Sequence, residues 1–233
     1  QQKAPRCVLS EDGRVTSRPS AAVFDNDGLL LDTEEAWTRA ERTLFARRAR
    51  EFTDADKRTL IGSSRSMAAV KLEALLDRPN QGEALMDELL ELVMDEALKG
   101  VAPRPGALEL IARLSDAGLP LAVASNSEPQ FVERVLAGAG LLDGGPFATV
   151  VTVADIEHPK PAPDIYLEAC RRLRVAPADA VALEDSPIGV AAAAAAGMFV
   201  IGVPYFAGSD IPGASLLVDS LADRAVLRAF GLD

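Results

Sequence analysis

The chain has 233 residues, 48% hydrophobic and 25% charged, with a formal net charge of -11. That length and apolar content suit one large domain, or a core carrying a smaller inserted one. The acidity argues against nucleic acid as a partner, and a phosphorylated substrate would need local compensation from a metal and a few placed cations. No apolar run is long enough to span a bilayer, so no membrane partner is expected. The first twenty residues hold no apolar signal core, and Cys7 and Cys170 give neither a disulfide framework nor metal-ligand spacing. Both features predict a reducing, cytoplasmic setting. His158 is the only histidine, which leaves little material for a histidine-ligated zinc or a Ser-His-Asp triad.

Residues 1–19 read as an N-terminal extension, with Glu11-Asp12-Gly13 a candidate hairpin turn. Ala21-Ala22-Val23-Phe24 then reads as a buried strand that ends on Asp25-Asn26-Asp27-Gly28. Continued strand conformation would point Asp25 and Asp27 to one side. Two close carboxylates repel unless a cation or a shared proton relieves them. Gly28 lets the backbone turn sharply beside a ligand. The pair therefore suits a magnesium-assisted catalytic site, although acids before a glycine also make plain turns. A calcium loop places its glycine sixth, whereas here it is fourth.

From Glu34 to about Ala102 the chain is rich in Ala, Leu, Glu and Arg, and Leu85, Leu89, Leu92 and Val93 fall near helical spacing. Asp32 or Thr33, Asp54 and Ser64 are candidate helix caps. After Pro103-Arg104-Pro105-Gly106 the texture changes. Strand candidates at Leu119–Ala124, Thr149–Val153, Ala180–Leu183, Phe199–Val203 and Leu216–Val218 now alternate with helices. The helices are expected over Ala107–Ala117, Glu128–Ala137, Asp164–Leu173, Pro187–Ala196 and Ala222–Phe230. Such alternation implies a parallel sheet with helices on both faces. The strand at Ala21–Phe24 belongs to it. The predicted fold is thus a doubly wound α/β core, residues 20–34 and 103–233, with an all-helical cap of residues 35–102 inserted after the first strand. Gly197 reads as a helix C-cap, and the alanines before it as close helix–sheet packing.

In parallel α/β sheets, sites form beyond the carboxyl ends of strands. Four polar clusters fall there: Asp25 with Asp27, Ser125-Asn126-Ser127, Lys160 in a proline-rich loop, and Glu184-Asp185-Ser186. Taken singly, Ser125 and Ser127 could cap a helix, Lys160 could be a loop cation, and Glu184 and Asp185 could serve a helix N-terminus. Together they supply a nucleophile, a second acid, a hydroxyl, a cation and further metal carboxylates.

The four clusters resemble the motifs of a haloacid dehalogenase-superfamily phosphatase with a helical cap, within the β-phosphoglucomutase-like group. Asp25-Asn26-Asp27-Gly28 with Asp32-Thr33-Glu34 matches the first motif and Ser125 the second. Lys160 in Lys-Pro-x-Pro-Asp matches the third, and Glu184-Asp185-Ser186-Pro187-x-Gly189 the fourth. The resemblance implies a Rossmann-like core and an aspartyl-phosphate mechanism. In it Asp25 is the nucleophile and Asp27 the general acid and then base. It implies Mg2+ held by the Asp25 carboxylate, the Asp27 carbonyl and Asp185, with Glu184 completing the metal site by holding a metal-bound water or by standing behind the ligands. Ser125, the Asn126 N–H and Lys160 would bind phosphoryl oxygens. Arg65, in Gly62-Ser63-Ser64-Arg65, either reaches a distal substrate group or is a solvated helix arginine.

The resemblance leaves the substrate as a small phosphorylated metabolite, of sugar or nucleoside type. A monomer is expected, since an inserted cap can close its own site. Trp37 falls where mutases of the group carry a histidine, which favours phosphatase over phosphosugar mutase. Its indole reads as cap packing, and His158 as a solvent-facing loop residue. Glu34 and Pro103–Gly106 would flank the hinges. A phospho-aspartate signalling module shares part of the residue set, but Asp27 and the large insertion argue against it.

Overall fold

Side-chain size alternates along the central strands, and that alternation sets the layers. The computed structural model describes residues 18–61, 63, 65–142, 144–206, 208 and 211–232. The candidate turn at 11–13, Cys7, Gly62 and Ser64 lie outside them. Six strands, β1 (Ala21–Phe24), β2 (Leu121–Ala124), β3 (Phe147–Val151), β4 (Ala180–Glu184), β5 (Phe199–Gly202) and β6 (Leu216–Leu217), form one sheet in the order β3-β2-β1-β4-β5-β6. Every pairing is parallel. Phe24, Leu121, Val123, Val181 and Leu183 face one core, and Ala21, Ala122, Ala124, Ala180 and Ala182 the other. The small-residue face lets α7 (Asp164–Leu173) and α8 (Pro187–Ala195) approach closely, with Ala192 and Ala193 buried in that layer. The bulky face takes α5 (Ala107–Asp116), α6 (Pro129–Gly138) and α9 (Arg224–Ala229).

Between β1 and β2 the chain leaves the sheet for four helices: α1 (Thr33–Ala46), α2 (Asp54–Leu60), α3 (Arg65–Leu76) and α4 (Gly82–Ala97). Leu44, Phe45, Leu72, Leu85, Leu89 and Val93 are buried among them. The α/β class with a helical insertion is as the alternation predicted. Some boundaries differ. The β3 strand starts at Phe147, because Phe147 already pairs with Leu121 across a register shift. The cap of α2 is Thr53, not Asp54: its hydroxyl accepts from the Asp56 N–H while the Asp56 carboxylate takes the Thr53 N–H. Asp32 stands at the N-cap of α1 without capping it. Gly197 follows α8 at φ +84°, as a helix stop requires.

Candidate active site

The parallel register brings the strand ends level. Phe24 pairs with Leu183 and with Val123, so Asp25 emerges beside Glu184 on one side and Ala124 on the other. The Asp25 N–H donates to the Leu183 carbonyl at 3.0 Å, and the Ser125 N–H to that of Val151 at 3.0 Å. Both side chains therefore hang from ladder hydrogen bonds rather than from free loops.

Lys160 is the hub. Its side chain is 3% exposed, and its ammonium donates to Asp25 Oδ1, to Glu184 Oε1 at 2.6 Å and to the Ala124 carbonyl at 2.9 Å. The Asn126 side chain fixes the loop that carries it: its Oδ1 accepts from the Lys160 N–H at 2.9 Å, and its Nδ2 donates to the Lys160 carbonyl at 3.2 Å. Burial would lower the Lys160 ammonium's proton affinity, but Asp25 and Glu184 raise it well above the usual lysine value. Burial pushes Asp25 up to about 8; Lys160 opposes this, while Glu184 and Asp27 add to it. Asp185 is raised chiefly by burial, then by Asp25 and Glu184.

Asp27 occupies a separate, hydroxyl-lined niche. Its Oδ2 accepts from the Ser125 and Ser127 hydroxyls, each at 2.8 Å, and its Oδ1 from Asn26 Nδ2 at 3.2 Å. The Ser125 hydroxyl is thus bonded to Asp27. Neither serine side chain caps α6, whose N-cap is Glu128. Glu184 is saturated: Tyr166 donates to Oε1 at 2.6 Å, and the Asp185 N–H, the Ser186 N–H and the Ser186 hydroxyl share Oε2. The Ser186 hydroxyl also caps α8.

Ser127 as an Asp27 partner and Tyr166 as a Glu184 partner went unread in the sequence. Ser127 lies in the Ser125-Asn126-Ser127 cluster, whereas nothing local marks Tyr166. Arg65 begins α3 and is tied to Asp87 at 2.6 Å and Glu83 at 3.3 Å, with no hydrogen bond to the strand-end cluster. Trp37 packs edge-on against Phe131 of α6, ring centroids 6.0 Å apart. His158 is exposed, its Nδ1 3.0 Å from Asp164 Oδ1.

One oxygen from each of Asp25, Glu184 and Asp185 lies within 4.8 Å of the others. Among the described residues Lys160 is the one ammonium bonded into this group, and it reaches Asp25 and Glu184 but not Asp185. Three carboxylates against one lysine leave surplus negative charge, and an all-oxygen donor set suits a hard divalent cation. The residues present therefore fit a magnesium site. Gly28 keeps it open: at φ +81°, a Cβ there would collide with the Asp185 carboxylate.

Residues 22–203 match the family model of the haloacid dehalogenase-like hydrolases. The chain belongs to that family. It is 32% identical to Protein CbbY of Rhodobacter capsulatus, over 88% of this chain and 95% of the relative. It is also 32% identical to hexitol phosphatase B of Escherichia coli K12, over 79% and 83%. The crystal structure of CbbY from Rhodobacter sphaeroides with phosphate superposes with a TM-score of 0.76 at 31% identity, covering 88% of this chain and 96% of that one. A variant of the same protein, solved with xylulose-(1,5)bisphosphate, gives the same values. The β-phosphoglucomutase of Clostridium difficile shares the fold, with a TM-score of 0.78 at 21% identity over 91% and 97%. The chain is an enzyme of the phosphatase type.

Proposed function

We propose that this enzyme hydrolyses the phosphomonoester of a small sugar or sugar alcohol through an aspartyl phosphate on Asp25. One observation carries the reading: Asp25, Asp27, Ser125, Lys160, Glu184 and Asp185 meet at the ends of adjacent parallel strands. The sugar-type substrate is carried over from the relative named hexitol phosphatase B and from the bisphosphate bound to the CbbY variant.

In the first step an Asp25 carboxylate oxygen attacks phosphorus and the ester P–O bond breaks. Asp27, entering in its protonated form, gives that proton to the leaving alkoxide oxygen. In the second step Asp27 takes a proton from water, the water oxygen attacks phosphorus, and the bond to Asp25 breaks. Ser127 orients Asp27 in both steps, while the Ser125 hydroxyl turns from Asp27 to a phosphoryl oxygen. Lys160 holds Asp25 and offers positive charge to the phosphoryl oxygens. Asp25, the Asp27 carbonyl and Asp185 would hold Mg2+, with Glu184 behind them. Magnesium would neutralise charge between the nucleophile and the phosphoryl group.

A mutase needs a group that ferries protons to the sugar, and Trp37 offers no titratable group at the helix position in question. The test is phosphate release from hexose, hexitol, pentose and nucleoside monophosphates, with magnesium and with chelator. Release is expected from sugar-type esters, lost with chelator and lost in Asp25→Asn, whose melting temperature stays at or above wild type. Near-normal turnover by that variant would remove Asp25 from its role.

A further inference from the structure

The two strands of chain joining the helical insertion to the sheet are bound to each other and, unexpectedly, to a third segment. Leu31 bridges Pro103, the Asp32 N–H donates to the Ala102 carbonyl at 2.8 Å, and the Arg104 N–H donates to the Leu30 carbonyl at 2.9 Å. Onto this pair comes Tyr205, from the loop after β5. Its hydroxyl donates to Asp32 Oδ1 at 2.8 Å, across 173 positions of chain. The Arg104 guanidinium lies over the Tyr205 ring, 4.6 Å from its centroid. One residue of the core thus holds both connections.

Asp32 makes the arrangement informative. It stands at the N-cap of α1, where an aspartate oxygen ordinarily takes a helix N–H. That oxygen is instead turned to Tyr205, and α1 has no side-chain cap. Nearby packing does not replace the tie. A cavity of about 490 Å³ separates Glu34, Thr38 and Arg42 of α1 and Lys57 of α2 from Tyr205 and Phe206. On the other side of α1, Trp37 rests on Phe131 of the core. The helical unit is therefore packed on one side and tethered on the other.

We propose that Tyr205, with Asp32 and Arg104, is a positioning latch that sets the angle of the helical insertion over the strand-end site. Loss of the Tyr205 hydroxyl frees the tethered side while leaving the ring stacked under Arg104. The effect on catalysis rests on the phosphatase reading, whereas the effect on geometry does not.

Spin labels at Val70 of α3 and Leu167 of α7, both exposed, in a Cys7→Ser background, report the angle as a distance distribution. Tyr205→Phe and Asp32→Ala should each broaden it, and the double variant should broaden it no further. Asp32→Asn keeps an acceptor oxygen and should restore the wild-type distribution. For sugar-phosphate hydrolysis, Tyr205→Phe should lower kcat/KM about fivefold, the scale of one hydrogen bond, while the melting temperature falls by only about 2–4 °C. An unchanged distribution in Tyr205→Phe overturns the latch, as does a failure of Asp32→Asn to restore it. If no ester is hydrolysed by wild type, the proposed function falls while the distance test still decides the latch.

Discussion

Glu41 is a carboxylate buried away from the strand-end cluster, and its replacement by glutamine should stabilise the protein. It lies on α1 with 4% of its side chain exposed, 3.1 Å from the Lys57 ammonium, which also pairs with Glu34 at 2.7 Å. Burial raises Glu41 from 4.5 to about 7; Lys57 only partly offsets this, and Glu34 adds to it. Desolvation therefore exceeds the ion pair. The folded protein binds this proton more tightly than the unfolded chain does. The resulting cost is absent below about pH 4.5, grows between 4.5 and 7, and is complete above 7. At about 1.4 kcal/mol per tenfold in proton affinity, Glu41→Gln should gain on the order of 3 kcal/mol at pH 8 and less than about 1 kcal/mol at pH 5. Urea unfolding followed by the fluorescence of Trp37, the single tryptophan, measures both. A variant no more stable than wild type at pH 8 would show that the Lys57 pair outweighs burial, and would refute the reasoning.

Lys160→Met should cut phosphate release at least about 100-fold. It should also cost roughly 3–5 kcal/mol in urea unfolding at pH 8, because Asp25 and Glu184 lose the cation buried between them. Gly189→Ala should lower turnover and destabilise by about 1–3 kcal/mol, since a Cβ there would overlap the Glu184 carboxylate that Lys160 and Tyr166 hold; activity and unfolding midpoint together check it. Inorganic phosphate and Mg2+ should strengthen each other's binding by an equal factor, measured by titration calorimetry in either order.

The readable parts of this chain were those whose cause is local. Val23-Phe24 running into Asp25 announces a strand end, and polar residues after four such strands announce a site, because parallel sheets place their chemistry there. Size alternation in Leu121-Ala122-Val123-Ala124 went unread, because only the assembled sheet gives its two faces different neighbours. What stayed hidden depends on distant partners. Ser127 meets Asp27 across 100 positions, and Tyr205 meets Asp32 across 173. Asp54 looked like a cap because caps are acidic or hydroxylic, but Thr53 and Asp56 form a reciprocal pair that fixes the start one residue earlier.

Charge ties the site to the rest of the molecule. A chain of net charge -11 repels a phosphate ester at long range, so attraction has to be local. Within the strand-end cluster the lysine is already shared between Asp25 and Glu184. It cannot serve a phosphoryl oxygen fully while it answers for both carboxylates. A divalent cation among Asp25, Glu184 and Asp185 would relieve that demand, because it supplies two charges where the structure places three carboxylate oxygens. The serines show the same economy: the Ser125 hydroxyl orients Asp27 and, on the proposed mechanism, would turn to a phosphoryl oxygen when one is bound. Each group that would bind substrate is thus already satisfied by a neighbour. That keeps a buried polar cluster stable before substrate arrives, and each exchange of partner couples phosphate binding to a change around Asp25 or Asp27.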